Sequence, residues 1–433
     1  MLLKNCSAVL TQDERRTVLK GADILIRDSR IEKVSKNIDS SESECEKIDC
    51  RGKIVMPSFV NAHTHLPMVL LRGYRDDLTL NEWLSEVWKA EAKMKEEDYY
   101  AGAKFGLLEM IRSGTSAYLD MYFGSEQILK ASEKAGLRGY LGHPLMDFGD
   151  SEKKEGTLKE AKKSVKKILE SNGLCRPVIS PHSVYTCSKE LLLEAKKFAE
   201  SKNLLYTTHL SETRKEVYDC HRKYGKRPAE FLEELGVIDN TFVGFHSAWL
   251  TKGEISMLAG KKASVVSCPA SNMKLATGGA FPYREFREAG VTVGIGTDGA
   301  CSNNSLNMLG EMKAMCLMQK WLRWNASEMA AQSALDMATL GGAKILGLNS
   351  GSIGAGKNAD LLLLDKSHYS LLPGTDLVSN IVYSASREAI SGLIVNGQFL
   401  MQEKQILTLD EEAIKEGFMK SSERLLQGGA LKE

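Results

Sequence analysis

The sequence has few of the features that mark secreted, membrane-spanning or nucleic-acid-binding proteins. Its 433 residues include nine cysteines, an odd number without any CxxC pair, which fits no disulfide framework. Cysteines of this kind are typical of free thiols in a reducing compartment, so we expect a cytoplasmic protein. The N-terminal stretch MLLKNCSAVLTQDERR has no signal-peptide core. Apolar runs such as Leu361–Leu364 fall far short of a membrane span.

An excess of either charge is also missing. The chain has 57 Lys and Arg residues against 56 Asp and Glu residues, a formal net charge of +1. Its richest lysine stretch, residues 151–170, interleaves glutamates with apolar residues at helical spacing. We interpret it as the solvated face of an amphipathic helix. The composition therefore predicts neither a nucleic acid nor a membrane as partner.

Strand-like runs alternate with helical segments along most of the chain. The runs between residues 54 and 298 are KIVMPSFVNA, TSAYLDM, LRGYLGH, RPVISPH, LLYTTH, TFVGFH, ASVVSC and VTVGIGTD. Strands that alternate with helices indicate βαβ units and a parallel sheet. Eight such units close a barrel, so we predict an α/β fold, a (β/α)8 TIM-type barrel.

The two ends of the chain read differently from this central part. Residues 1–56 contain alternating β-like segments, and residues 351–433 contain further strands, a hairpin turn at Asn396-Gly397 and a terminal helix. We expect both ends to form one small composite β domain beside a barrel of residues 57–350.

Polar residues of one kind cluster at the ends of the predicted strands. Those that close a run, or follow it directly, are His63, His65, His143, His182, His209, His246 and Asp298. The carboxyl ends of barrel strands gather on one face, where active sites are built. Side chains i and i+2 of a strand share a face, so His63 and His65 point the same way. Taken alone, an HxH pair is more often solvated or hydrogen-bonded than a metal site.

These residue types suit metal-assisted hydrolysis. Imidazoles and a carboxylate bind divalent ions, and three or four protein ligands leave room for water. A bound Zn²⁺ lowers the pKa of that water to about 7. Glu212 follows His209 by three residues and is a candidate general acid and base. The alternative is a carboxylate that only stabilises a helix N-terminus.

Longer strings resemble a known family. NAHTHLPMVLLRG, DLTLNEWL, SPHSVYTCSKE, THLSET, CPASNMKL and GTDGACSNNSLN occur in this order. Together they resemble the amidohydrolase superfamily, and within it the deaminases of S-adenosylhomocysteine, methylthioadenosine and 5′-deoxyadenosine, with their related chlorohydrolases. The resemblance implies one divalent ion per subunit, held by His63, His65, His209 and Asp298. Zn²⁺ is the expected ion, with Fe²⁺ or Mn²⁺ as alternatives.

The resemblance also implies roles for other residues. Glu212 would move a proton from the attacking water to the purine ring, and His246 would orient that water together with Asp298. Glu212 and Asp298 would both touch the substrate. His182 would contact the substrate, and Glu91 would bind its ribose.

One departure from the family concerns the far end of the substrate. Some members carry an arginine near the end of the third strand, where this chain has His143, and another in the next loop, where DSEKKEGT has none. We therefore expect a small apolar 5′ group, packed by Trp83, Leu84 and Met68, to be favoured over a homocysteine carboxylate.

The expected function is hydrolytic deamination of 5′-modified adenosines by a homo-oligomer that binds a small nucleoside. Two alternatives stay open. The chain could act on another amino-heterocycle, namely a guanine, pterin, triazine or hydantoin-like ring, or it could be a non-catalytic barrel. The H-x-E and P-C-x-x-C signature of cytidine-deaminase zinc sites is absent from the sequence.

Overall fold

The computed structural model describes residues 1–39, 45–171 and 173–426. The last residue of the predicted terminal helix, Gln427, lies outside that range. In chain order the strands are β1 (Leu2–Cys6), β2 (Ala8–Leu10), β3 (Val18–Leu19), β4 (Ala22–Arg27), β5 (Arg30–Ser35), β6 (Lys47–Asp49), β7 (Lys53–Pro57), β8 (Phe59–His65), β9 (Thr115–Met121), β10 (Arg138–Gly142), β11 (Pro144–Leu145), β12 (Arg176–Pro177), β13 (Ser180–Pro181), β14 (Tyr206–Leu210), β15 (Phe242–His246), β16 (Ser264–Ser267), β17 (Thr292–Ile295), β18 (Asp298–Gly299), β19 (Leu361–Asp365), β20 (Ile390–Val395), β21 (Gln398–Gln402) and β22 (Gln405–Ile406).

Helices fill most of the connections between these strands. They are α1 (Leu80–Glu91), α2 (Glu96–Arg112), α3 (Ser125–Ala135), α4 (Ser151–Glu170), α5 (Lys189–Lys202), α6 (Arg214–Tyr224), α7 (Pro228–Glu234), α8 (Lys252–Gly260), α9 (Pro269–Lys274), α10 (Tyr283–Glu288), α11 (Met308–Leu322), α12 (Ala331–Asp336), α13 (Gly342–Ile345), α14 (Leu377–Tyr383) and α15 (Glu411–Leu426). Short 3₁₀ segments cover Leu66–Leu71, Tyr369–Leu371 and Arg387–Ala389, and a π-helical turn covers Met337–Gly341.

The central strands form parallel sheets, as the alternating pattern predicts. One sheet has the order β12-β10-β9-β8-β18, and another has the order β14-β15-β16-β17. An isolated parallel bridge between Ile179 and Tyr206 links them. The α/β prediction is therefore confirmed.

Three of the predicted strand runs are interrupted. The run RPVISPH divides into β12 and β13. The run KIVMPSFVNA divides at Ser58 into β7, which belongs to a terminal sheet, and β8. The run VTVGIGTD breaks between β17 and β18, where Gly296 lies against His63. A Cβ on Gly296 would stand 2.7 Å from the His63 backbone N and O atoms. Only glycine fits this close approach, which brings Asp298 to the HxH strand.

Strands from both ends of the chain pair with one another. A seven-stranded sheet has the order β22-β21-β20-β19-β7-β2-β3, and a four-stranded sheet has the order β5-β4-β1-β6. In the larger sheet β19 runs antiparallel to β7, with Leu363 opposite Val55. Both residues belong to an apolar core that also contains Leu3, Ile24 and Ile394. The two ends of the chain therefore share the seven-stranded sheet, whereas the four-stranded sheet contains N-terminal strands only.

A buried ion pair ties the central strands to the terminal sheet. Arg138, at the start of β10, donates from Nε to Asp360 Oδ2 over 3.0 Å and from Nη2 to Oδ1 over 3.2 Å. Ser350 Oγ and Asn396 N also donate to the Asp360 carboxylate, over 2.5 and 2.8 Å. These hydrogen bonds compensate for the free-energy cost of removing the carboxylate from water.

Replacing Arg138 with methionine is expected to destabilise the fold strongly. The change leaves the Asp360 carboxylate buried without its cation, a situation that costs about 3–5 kcal/mol. Urea unfolding followed by circular dichroism measures the loss. The control is Arg27→Met, because Arg27 pairs with Glu32 while 63% exposed, and such pairs contribute about 0–1 kcal/mol. Equal losses in the two variants would contradict the structural role of the Arg138 pair.

Candidate active site

Four of the residues predicted from the strand ends converge on one point: His63, His65, His209 and Asp298. His63 and His65 lie on β8, with His65 as its last residue, and His209 lies near the end of β14. Asp298 pairs with Thr64 as β18 joins β8. Ligand atoms of His63, His65, His209 and Asp298 all lie within 4.8 Å of one another. The structure thus brings together the four residues that the motifs pointed to as one group.

His63 has the clearest requirement for a ligand from outside the chain. The side chain is fully buried, and neither ring nitrogen has a hydrogen-bond partner among the described residues. Its ring stacks on Phe245 at 3.8 Å between centroids, and its Nε2 lies 3.4 Å from Asp298 Oδ1. Buried polar atoms of this kind are rare unless an ion or water satisfies them. The donor set therefore fits a cation between His63, His65, His209 and Asp298.

Backbone carbonyls hold two of these histidines in the tautomer that a metal needs. His65 Nδ1 donates to Met121 O over 2.6 Å, and His209 Nδ1 donates to His182 O over 2.7 Å. Because a carbonyl oxygen only accepts, the proton must lie on Nδ1. Nε2 is then the nitrogen of each ring that is left to bind an ion, the usual arrangement of metal-bound histidine.

Two hydroxyl groups orient the carboxylate of Asp298. Ser271 Oγ and Ser302 Oγ donate to Asp298 Oδ2 over 2.5 and 2.9 Å. The other oxygen, Oδ1, lies 3.1 Å from His65 Nε2. Burial alone would raise the pKa of Asp298, but its contacts with His63 and His65 keep that pKa well below the usual range. Asp298 is therefore an anion at neutral pH and is suited to bind a cation.

Beside this group lies a second pair, formed by Glu212 and His246. Glu212 Oε2 is 3.9 Å from His246 Nε2, and His246 Nδ1 lies 2.7 Å from Asn272 Oδ1. Burial raises the pKa of Glu212, so the protonated form of this carboxyl is favoured more than in water. A buried carboxyl group within reach of a histidine is the type of group that serves as a general acid and base.

A different set of potential ligands shares His63. His63, His246 and Cys268 also have ligand atoms within 4.8 Å of one another. Burial raises the pKa of the Cys268 thiol well above its usual value. Metals bind the thiolate, so this thiol is a poorer ligand than the anionic Asp298.

A cavity opens above these groups, and most of the other predicted residues line it. Its wall includes Trp83, Glu91, His182, Glu212 and His246. Glu91 accepts a hydrogen bond from Tyr122 Oη over 2.5 Å, and burial raises the pKa of Glu91 to about 7. His182 Nδ1 lies 3.1 Å from Thr186 Oγ1. The predicted residues are thus distributed around one cavity.

His143 takes a different position from the rest. It is not among the cavity-lining residues; its ring packs edge-on against Phe123 at 5.6 Å between centroids. Burial lowers the pKa of His143 to about 4, so the ring is neutral at pH 7. Phe123, the neighbour of His143, does line the cavity.

Several residues of the cavity wall were not predicted from the sequence. They are Leu80, Trp88, Met121, Tyr122, Phe123, Pro144, Met146, Tyr185 and Leu275. The signal available for two of them was position, because Tyr122 and Phe123 directly follow β9 on the face where the histidines lie. Aromatic residues after a strand are more often ordinary core, so their type alone does not indicate a site.

Comparison with known proteins decides the family. Residues 54–400 match the amidohydrolase family. The chain belongs to the amidohydrolase family. The resemblance seen in the motifs is thereby confirmed, and the match covers both the parallel sheets and much of the terminal sheet.

This amidohydrolase has relatives of known name over nearly its whole length. It is 41% identical over 422 residues to a 5-methylthioadenosine/S-adenosylhomocysteine deaminase of Pyrococcus furiosus, covering 97% of this chain and 99% of the relative. It is also 41% identical over 396 residues to a 5′-deoxyadenosine deaminase of Methanosphaera stadtmanae, covering 91% and 93%. Its fold matches the crystal structure of an adenosine deaminase from Xanthomonas campestris with bound zinc, with a TM-score of 0.93, 29% identity and 98% of each chain covered.

A search for membrane-crossing helices finds none of sufficient length and apolar character among the residues that the structure describes.

Proposed function

We propose that this amidohydrolase is a metal-dependent deaminase that converts 5′-modified adenosines to the inosine analogues, adding water at the purine carbon and releasing ammonia. One observation carries the proposal: the Glu212–His246 pair, 3.9 Å apart, lies beside the buried His and Asp group in a single cavity. The names of the relatives at about 41% identity support the same reaction.

The fold that supports this site is, in our proposal, a closed (β/α)8 barrel of residues 57–350. The composite β domain then consists of residues 1–56 and 351–433. Support for closure comes from the strand pairing. The parallel bridge between Ile179 and Tyr206 joins the two parallel sheets at one side. The pairing of β18 with β8, just beyond the end of β17, links them at the other.

We assign the metal position to His63, His65, His209 and Asp298. A divalent ion there would lower the pKa of a coordinated water to about 7 and so supply the nucleophile. Three imidazoles and one carboxylate suit Zn²⁺, with Fe²⁺ and Mn²⁺ as alternatives. The zinc bound in the Xanthomonas campestris adenosine deaminase structure supports the first of these.

Glu212 and His246 are assigned to proton transfer. Glu212 takes one proton from the attacking water and delivers it to the purine ring nitrogen, which makes the ring carbon more electrophilic. The second proton of that water passes through Asp298 to the amine, which leaves as ammonia while the ring carbon–oxygen double bond forms. His246, fixed through Nδ1 by Asn272, presents Nε2 toward the water and Glu212. Asp298 Oδ1, held by the two serine hydroxyls on the opposite oxygen, accepts a second hydrogen bond from that water.

The remaining cavity residues are assigned to the substrate. Glu91 Oε1 accepts from Tyr122 Oη, and Glu91 Oε2 is left to accept from the ribose hydroxyl groups. His182 lies beside His209, at 4.6 Å between ring centroids, where it contacts the base. Trp83 and Leu84 supply an apolar wall for the 5′ group, together with Met68.

A panel of substrates tests the proposed reaction. Metal-loaded protein is incubated with 5′-deoxyadenosine, methylthioadenosine, S-adenosylhomocysteine, guanine, a pterin and a triazine. We expect ammonia, together with the ultraviolet change from adenine to hypoxanthine, only with the adenosines. Turnover confined to guanine, the pterin or the triazine would replace the proposal with the corresponding ring deaminase. No turnover of any compound would favour a binding protein.

The walls of the cavity predict an order among the adenosines. No lysine or arginine is among the described residues that line it, so a homocysteine carboxylate would lose solvent there without gaining a cation. We therefore expect higher kcat/KM for 5′-deoxyadenosine and methylthioadenosine than for S-adenosylhomocysteine. Steady-state kinetics with the three compounds measure this order. A preference for S-adenosylhomocysteine would mean that a cation outside the described walls reaches the carboxylate.

The expectation about His143 can be tested in the same assay. His143→Arg is predicted to bring kcat/KM for S-adenosylhomocysteine closer to the values for the other two substrates, because a guanidinium can bind the homocysteine carboxylate. An unchanged ratio would mean that Phe123 separates position 143 from the substrate.

We also propose a cytoplasmic homo-oligomer. Eight of the nine cysteines are buried thiols, consistent with a reducing compartment. Trp321 and Trp324, at the end of α11 and just beyond it, are 77% and 95% exposed, and exposed aromatic residues are frequent at interfaces between copies. Sedimentation equilibrium of the full chain measures the oligomeric state.

A further inference from the structure

Glu216 lies next to the proposed catalytic groups and has no part in the mechanism above. It is the third residue of α6, and only 4% of it is exposed. The sequence Thr213 to Glu216 has the T-x-x-E form of a capping box, in which the glutamate would accept from the backbone N–H of Thr213. Half of that box is present, since Glu216 N donates to Thr213 Oγ1 over 3.1 Å.

The Glu216 side chain reaches further back than a capping box requires. Its Oε1 accepts from Ser211 N over 2.9 Å, and its Oε2 accepts from Glu212 N over 2.7 Å. The carboxyl group therefore accepts hydrogen bonds from two consecutive backbone amides of the turn between β14 and α6. By contrast, the box at Thr251 is an ordinary one, in which Thr251 N donates to Glu254 Oε2 over 2.8 Å.

The turn between β14 and α6 needs stabilising contacts, because its backbone conformation is unusual. Ser211 has φ of +48°, in the left-handed region that residues other than glycine rarely adopt. The turn has only three residues to connect His209 and Leu210 with α6. Two adjacent N–H groups bound to one carboxyl fix the orientation of the peptide plane from which the Glu212 side chain projects.

We propose that Glu216 is a positioning residue, whose carboxyl group holds the Ser211–Glu212 backbone so that Glu212 reaches His246 and the substrate. This inference rests on the proposed function. The argument depends on geometry and holds in either protonation state. Burial raises the pKa of Glu216 to about 8, but a carboxylic acid and a carboxylate both accept hydrogen bonds at two oxygens. A glutamine would accept at one and present an N–H to the other amide.

Glu216→Gln is the first test. We expect kcat for 5′-deoxyadenosine to fall by about 100-fold with KM changed by less than about threefold, because small misplacements of a reacting group have effects of this size. Metal content and the secondary structure seen by circular dichroism should be retained. Glu254→Gln is the matched control, since it also removes a buried capping glutamate, and it should keep a wild-type kcat.

A double variant separates positioning from a general loss of structure. If Glu216 acts through Glu212, the Glu212→Gln/Glu216→Gln enzyme should be no slower than Glu212→Gln alone. Multiplying effects would mean that Glu216 acts independently of Glu212 and would overturn the inference. If Glu216→Gln fails to fold, Glu216→Asp keeps a carboxylate that is one methylene too short to reach both amides, and the same loss of kcat is expected.

Hydrogen exchange gives a readout that does not depend on the substrate. The amides of Ser211 and Glu212 should exchange slowly in the wild-type protein and much faster in Glu216→Gln, while the Thr251 amide is unchanged. Unchanged exchange at Ser211 and Glu212, or a wild-type kcat in Glu216→Gln, would overturn the inference. A wild-type protein that deaminates no adenosine would instead overturn the proposed function, and the exchange experiment would still decide whether Glu216 holds the turn.

Discussion

Glu212→Gln is expected to abolish most turnover of 5′-deoxyadenosine while the protein keeps its metal. The glutamine has nearly the shape of the glutamate, so packing in the cavity is preserved. It cannot take a proton from water or give one to the purine ring, and such transfers contribute about 10²–10⁴-fold to enzyme rates. Burial raises the pKa of Glu212, which favours its protonated form more than in water.

The result is measured as kcat from ammonia release, with metal content determined on the same sample by atomic absorption. Glu200→Gln is a suitable control, because Glu200 lies on α5 with a side chain that is 58% exposed. A Glu212→Gln enzyme with the wild-type rate would remove Glu212 from the proton transfer. Loss of the metal together with the rate would mean that Glu212 supports the ion instead.

His209→Ala is expected to have an equally large effect, this time on the metal. Its Nδ1 is fixed by His182 O, which leaves Nε2 as one of the four convergent donors. Mutation of a residue that only orients a metal ligand lowers metal affinity by about 10–100-fold. Removal of a ligand itself should therefore lower the affinity by more than about 100-fold. Activity should fall in parallel with bound metal.

Competition with a chromophoric chelator measures the affinity for zinc. His221→Ala is the matched control, because His221 lies on the exposed surface of α6 and should bind zinc as the wild type does. A His209→Ala protein with wild-type affinity would show that the ion binds elsewhere, for example at the group that contains Cys268.

Much of this site could be predicted because it depends on strand ends. Parallel strands place their carboxyl ends together, so an HxH pair on one strand and single polar residues on others had to meet if the α/β pattern was right. Asp120 also lies near the carboxyl end of a strand, β9, but its Oδ1 accepts a hydrogen bond from Leu66 N over 2.6 Å, the ordinary role of an aspartate beside a turn. The family motifs supplied roles that residue type and position alone left open.

Other features could not be predicted, since they depend on how distant segments pack. In the run KIVMPSFVNA, Pro57 is compatible with a break, but it does not by itself place the two halves in different sheets. The T-x-x-E sequence at Glu216 is that of a common helix cap and does not reveal the hydrogen bonds to the preceding turn. His143 directly follows a strand, yet it is not among the residues that line the cavity, and its ring packs against Phe123. In each case the deciding factor is a contact between side chains and backbone that sequence spacing does not encode.

The structure of Glu212→Gln bound to zinc and 5′-deoxyadenosine tests the account most directly, because this variant should bind the nucleoside without converting it. We predict a single anomalous-scattering peak between His63, His65, His209 and Asp298, at about 2.0–2.2 Å from the ligand atoms. The purine carbon that bears the amine should face the ion, with its ring nitrogen beside position 212. Two bridged ions, an ion outside this group, or a nucleoside with its adenine turned away from position 212 would contradict the account.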